Sequence, residues 1–187
     1  MIVKEINKAL QALKVGNVIL YPTDTVWGIG CDAANEKAVE KIFKIKQRKE
    51  SKSLVILVSS LDMLKKYIDE VPNVVVEILQ KFKKPTTIIY NKPRGLAKKV
   101  IANDNTVAIR IVQDKFCNEL IEKFGKPIVS TSANISSKPT PKSFKEIELS
   151  IFDAVDYVVN LHQNNKIGLP SAIIRITDKD KIEVIRA

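Results

Sequence analysis

The sequence predicts a single α/β domain around a mixed, twisted β-sheet flanked by helices. Three observations predict it. Short apolar runs such as Val18–Tyr21 and Leu54–Val58 alternate with segments of helical period through most of the chain. The chain closes on two alternating strand patterns, Ser171–Ile176 and Ile182–Arg186, which read as a hairpin around Asp178-Lys179-Asp180. No internal repeat, low-complexity tract or linker interrupts residues 1–187, and a length of 187 residues suits one domain.

The elements follow in order. Ile6, Leu10 and Leu13 fall at helical spacing, and Gly16 supplies the stop. Pro22 ends the strand at Val18–Tyr21, because it has no N–H for a ladder. Asn35 caps a second helix with Val39, Ile42, Phe43 and Lys46 along one side. Ser60 caps a short helix carrying Leu61, Leu64 and Ile68, and a further helix is predicted over 73–83. Strands are predicted at 86–90 and 106–112, joined by a basic loop over 91–105. Asp114 opens a helix that Gly125 ends. A strand at 127–130 runs into the polar loop 131–143, Ser143 and Glu146 form a capping-box pattern, and 155–160 is a strand.

Composition narrows the classes. Hydrophobic residues make up 45%, enough for a continuous core, and no apolar run approaches the ~18 residues of a membrane span. Lys4, Glu5 and Lys8 break the N-terminal apolar residues, unlike a signal peptide. Cys31 and Cys117 have no metal-type spacing and read as reduced thiols of a cytosolic protein. The net charge of +10 favours an anionic partner: nucleotide, nucleic acid or acidic surface.

Three stretches carry candidate chemistry. In "YPTDTVWGIG", residues 21–30, Thr23 and Thr25 offer hydroxyls, Gly28 and Gly30 permit positive φ and close approach of a ligand, and Trp27 reads as a core plug. "KIKQRKESKS", residues 44–53, crowds cations at a helix end; these complement the helix dipole or clamp a phosphate. "STSANISSKPT", residues 130–140, holds more short polar side chains than a turn needs. Walker A, GxSxG and HExxH patterns are absent, and the one histidine, His162, stands in a polar loop. If this is an enzyme, positioning and charge stabilisation should do most of the work.

Together these stretches resemble the YrdC family of threonylcarbamoyl-AMP synthases. The resemblance rests on "YPTDTVWGIG", Lys46-x-Arg48, Ser132-x-Asn134, "TVAIRIV" with Arg110, and the closing "PSAIIRI" and "VIR", in this order from about residue 6 to the end. It implies an open α/β fold with a concave basic cavity. It implies an enzyme that joins L-threonine, bicarbonate and ATP into threonylcarbamoyl-adenylate, with Mg2+ accompanying the ATP. Partner proteins would then transfer the threonylcarbamoyl group to a tRNA adenosine. Carried over by position, Thr25, Arg110, Ser130 and Ser171 would hold L-threonine. Arg48, Lys52, Thr106, Ser132, Asn134, Thr140 and Arg186 would line the nucleotide. Lys46 and Arg48 would be the catalytic cations, and no protein side chain would ligate the metal.

The sequence departs from the family at Trp27 (usually Tyr), at Lys83–Thr87 (usually a Pro-Gly-Pro segment), at Lys49 (often Pro) and at Leu57 (His in some members). The same basic balance also suits a module that binds double-stranded RNA or ribosomes without catalysis, although no RNA-binding motif is present. A carbamoyl-transfer domain of a hydrogenase-maturation protein is a third reading; such domains sit in longer chains with zinc-type cysteines, which this sequence lacks.

Overall fold

The structure is a computed structural model that describes residues 1–48, 54–81, 84–164, 168–177 and 181–187. Its elements are α1 (Ile2–Lys14), β1 (Ile19–Tyr21), β2 (Gly28–Gly30), α2 (Glu36–Lys46), β3 (Val55–Val58), α3 (Leu61–Tyr67), α4 (Asn73–Lys81), β4 (Thr86–Asn91), β5 (Thr106–Ile111), α5 (Lys115–Phe124), β6 (Ile128–Ser132), α6 (Leu149–Ala154), β7 (Tyr157–Val158), β8 (Ala172–Ile176) and β9 (Ile182–Arg186). The strands form one sheet in the order β7-β1-β2-β6-β3-β5-β4-β8-β9. It is mixed: β1/β7, β3/β5 and β4/β8 run parallel, and the remaining neighbours are antiparallel. The α/β class and mixed sheet match the expectation.

Local chemistry explains the boundaries. Asn35, Ser60 and Asp114 each accept a backbone N–H of the first helical turn, at 3.1, 3.1 and 2.8 Å. Gly125 stops α5 at φ +73°. Gln47 ends α2 in the left-handed region at φ 48°, with Arg48 N–H donating to Phe43 O and Gln47 N–H to Lys44 O. This Schellman closure turns the chain sharply at the point where Arg48 leaves the helix. An exposed non-glycine residue there carries a conformational cost. Gln47→Gly is expected to raise stability by about 0.5–1 kcal/mol, read as a higher urea midpoint at unchanged slope.

Several boundaries differ from the sequence reading. Gly28 and Gly30 do not adopt positive φ; they form β2, hairpin partner of β1, with Tyr21 opposite Gly28 and Ile19 opposite Gly30. Their smallness serves close approach instead. A Cβ on Gly30 would lie 2.4 Å from the Val129 carbonyl and 2.7 Å from the Tyr21 ring. The strand expected at 155–160 shortens to two residues, β6 extends to Ser132, and the helix expected over 73–83 is described to Lys81. The hairpin of β8 and β9 is present, but its turn lies outside the described residues. Trp27 is buried and packs on Phe144 with ring centroids 4.7 Å apart, so it does plug the core.

Alternation divides the central sheet into two faces. Ile56, Ile109, Ile88 and Ile174 stand in register across β3, β5, β4 and β8 and are buried in the core. Val55, Ala108, Arg110, Ile89 and Ile173 occupy the other face, and all except Arg110 are apolar. That second face is the floor of a cavity.

Candidate active site

The cavity has a volume of about 370 Å³, in the range of small-molecule sites. Its polar lining comes from four places: the β1–β2 loop (Thr25), β5 (Arg110), β6 (Ser130, Thr131, Ser132) and the segment leading through β9 (Ser171, Arg186); Arg48 and Thr140 complete it. The described lining contains three arginines and no carboxylate.

Arg110 anchors one end. It is 3% exposed and rises from the strand face shared with Ala108. Its Nη1 donates to Thr25 Oγ1 at 3.2 Å, and its Nη2 stands 3.0 Å from Asp24 Oδ1. Asp24 pairs by charge rather than by an aligned hydrogen bond. Burial pushes the Asp24 carboxyl above its usual range, against the opposing pull of the Arg110 cation. Ser171 is held beside this end from two sides. Its Oγ lies 2.8 Å from the buried Thr87 Oγ1, and its carbonyl accepts from Arg186 Nε and Nη2 at 3.0 and 2.7 Å.

Arg186 reaches the cavity through a β-bulge. Ile173 pairs with Arg186 and Ile174 with Val184, leaving Ile185 as the extra residue. The adjacent residues Ile185 and Arg186 therefore both line the cavity, which regular alternation would forbid. Burial and the Arg110 cation lower the pKa of Arg186; burial lowers that of Arg48.

Eight of the predicted site residues converge: Thr25, Arg48, Arg110, Ser130, Ser132, Thr140, Ser171 and Arg186. Three do not line the cavity. Thr106 lies two residues before Ala108 on the same strand face, beyond the lining, where its hydroxyl donates to Asp104 at 2.6 Å. Asn134 is buried and ties its own loop, donating from Nδ2 to the carbonyls of Ile135 and Lys138. Lys46 is 1% exposed, and its amine donates to the carbonyls of Ser132 and, at 2.7 Å, Asn134. It grips the start of the polar loop and is not among the residues that line the cavity. Burial and the neighbouring Arg48 cation push its pKa down to about 7. Lys52 lies outside the described residues.

Two supporting residues, Asp24 and Thr87, carried no sequence assignment, and Thr23 was singled out for its hydroxyl without a role. Thr87 was discoverable, because alternation along β4 places it on the face of Ile89. Asp24 carried no signal of its own, since an acid in a loop usually faces water.

The Sua5/YciO/YrdC family model, described as telomere recombination, matches residues 11–187. The chain belongs to this family. Relatives in it include the threonylcarbamoyl-AMP synthase of Pseudoalteromonas translucida, 33% identical over 83% of this chain and 84% of that one. The enzyme of the same name from Vibrio cholerae is 30% identical over 99% and 98% of the two chains. Among solved structures, P. abyssi Sua5 complexed with L-threonine superposes with a TM-score of 0.87 at 27% identity over 97% of this chain. This family member is longer; the chain spans 53% of its length. E. coli YciO superposes at 0.84 with 25% identity, over 98% of this chain and 88% of that one.

Proposed function

We infer that this protein is a threonylcarbamoyl-AMP synthase, converting L-threonine, bicarbonate and ATP to threonylcarbamoyl-adenylate and pyrophosphate. The observation that carries the reading is one cavity lined by Arg110, Thr25, Arg48 and Arg186 together, in a chain 30–33% identical to synthases over most of its length. Arg110 suits the carboxylate of an amino acid, with Thr25, Ser130 and Ser171 as polar neighbours. Arg48, Ser132, Thr140 and Arg186 suit the nucleotide, and Lys52 and Thr106 extend that set.

The chemistry needs little from a protein base. The threonine amine adds to the carbon of bicarbonate, and water leaves to give a carbamate. A carbamate oxygen then attacks the α-phosphorus in line, and pyrophosphate departs. Two anions must approach, so the arginines offset their repulsion and hold the geometry. In this reading Lys46 and Asn134 act through the loop they brace, which presents Ser132 and Thr140.

No group of three or more His, Cys, Asp or Glu side chains gathers among the described residues, and the described lining lacks a carboxylate. Among the described residues, that donor set does not fit a cation held by side-chain ligands. Magnesium would enter as part of the ATP substrate. The product would pass to partner proteins that modify a tRNA adenosine next to the anticodon, in the cytoplasm. No helix among the described residues is long and apolar enough to cross a membrane. A net charge of +10 by itself also suits RNA binding, but arginines converging on a lined cavity favour the enzyme.

Pyrophosphate release, measured with and without L-threonine and bicarbonate, tests the reading; turnover indifferent to threonine overturns it. Arg48→Ala is expected to lower pyrophosphate release about 100-fold while shifting the melting temperature by only a few degrees. Unfolding of this variant would instead make Arg48 a structural residue.

A further inference from the structure

The hydroxyl proton of Thr25 is assigned by its neighbours. Thr23 Oγ1 donates to the Val26 carbonyl at 2.8 Å and accepts from the Thr25 backbone N–H at 3.1 Å. The same oxygen lies 3.0 Å from Thr25 Oγ1. A hydroxyl has one proton to donate and two lone pairs to accept with. Thr23 spends its proton on Val26, so the proton between the two threonine oxygens belongs to Thr25. On its other side Thr25 Oγ1 accepts from Arg110 Nη1 at 3.2 Å. The bonds therefore run one way, from Arg110 to Thr25 to Thr23 to the Val26 carbonyl, and each polarises the next. Reversing the middle link would take the Thr23 donor away from that carbonyl.

Thr25 lines the cavity with its proton spent and one lone pair left. It can accept from a ligand there but cannot donate to one. Arg110 beside it has only donors to offer. A carboxylate on Arg110 and a nitrogen donor on Thr25 is the pattern of an α-amino acid. We propose that Thr23 is a positioning residue that keeps Thr25 acceptor-only, so that the cavity selects a ligand bearing an ammonium next to its carboxylate. The proposal rests on the threonine-binding reading and deepens it. Sites built around a substrate's N–H reject the analogue that lacks it far more strongly than apolar pockets reject a missing methylene.

The test is titration calorimetry without ATP, using L-threonine, (R)-3-hydroxybutanoate (the same molecule without its amine) and O-methyl-L-threonine. The wild-type protein is expected to bind L-threonine at least about 100-fold more tightly than 3-hydroxybutanoate. Thr23→Val frees the Thr25 proton, and the ratio should fall about tenfold through weaker L-threonine binding. Thr23→Ser keeps the hydroxyl and should restore the ratio, a rescue that loss of loop packing alone would not predict. Thr23→Ala is the second variant, with thermal melts confirming the fold of each. If the wild-type protein does not bind L-threonine, the functional reading fails. If it binds and Thr23→Val or Thr23→Ala keeps the full ratio, the role of Thr23 is overturned. If O-methylation weakens binding as much as loss of the amine does, Thr25 accepts from the β-hydroxyl and the ammonium assignment falls.

Discussion

Arg110→Met should abolish threonine-dependent turnover, with pyrophosphate release falling about 10²–10³-fold and binary L-threonine binding lost. Two effects combine. The cavity loses its buried cation, and with it the group best suited to a carboxylate. Asp24 then keeps a carboxylate beside the core with no cation at 3.0 Å. Breaking one side of a buried pair costs about 3–5 kcal/mol, so the variant should also melt earlier. The double variant Arg110→Met/Asp24→Asn separates the two. Removing the stranded charge should recover much of the stability, while threonine binding stays lost. Recovery of binding along with stability would mean that Arg110 serves the fold and not the ligand.

Lys46→Met is the second large effect, and it depends on pH. Methionine has nearly the same length but leaves the Ser132 and Asn134 carbonyls without their amine donor. That loss costs about 2–4 kcal/mol and loosens the loop bearing Ser132 and Thr140. Turnover should fall at least about tenfold, with L-threonine binding preserved at the Arg110 end. The pH dependence follows from the lowered pKa. The Lys46 amine titrates near 7 when folded and near its ordinary 10.5 when unfolded. Between those values the unfolded chain binds more protons, so the wild-type protein gains stability as pH rises from about 7 toward 10.5 and loses it as pH falls back through 7. Lys46→Met lacks this term. Urea unfolding at pH 7 and pH 10 should show the variant further below the wild-type protein at pH 10. An equal gap at both values would show that burial does not shift the amine. Groups common to both proteins cancel in the comparison.

Helix boundaries were legible because local chemistry sets them. Asn35, Ser60, Asp114 and Gly125 act within a few residues of themselves, and each stands where the sequence places it. The glycines at 28 and 30 were not legible. Glycine permits a left-handed turn, but whether the chain takes one depends on what arrives from elsewhere. Here the Tyr21 ring and the Val129 carbonyl take up the space above Gly30, and the segment pairs as a strand. Lys46 shows a related long-range effect. A lysine beside an arginine at a helix end reads as a solvent-facing or phosphate-facing cation, yet carbonyls from a loop some 86 to 88 residues later claim its amine.

The sequence by itself determined the α/β class, the helix ends that local caps set and the motifs that mark the family. It also supplied eight side chains that meet in one cavity. Only the tertiary structure decided which polar groups face a ligand and which are spent on the protein. The reason is that donors and acceptors are finite, and a long-range partner can use one up. Lys46 gives its amine to a distant loop, and Thr25 gives its proton to Thr23 while accepting from Arg110, a residue 85 positions away. No local pattern records such an allocation.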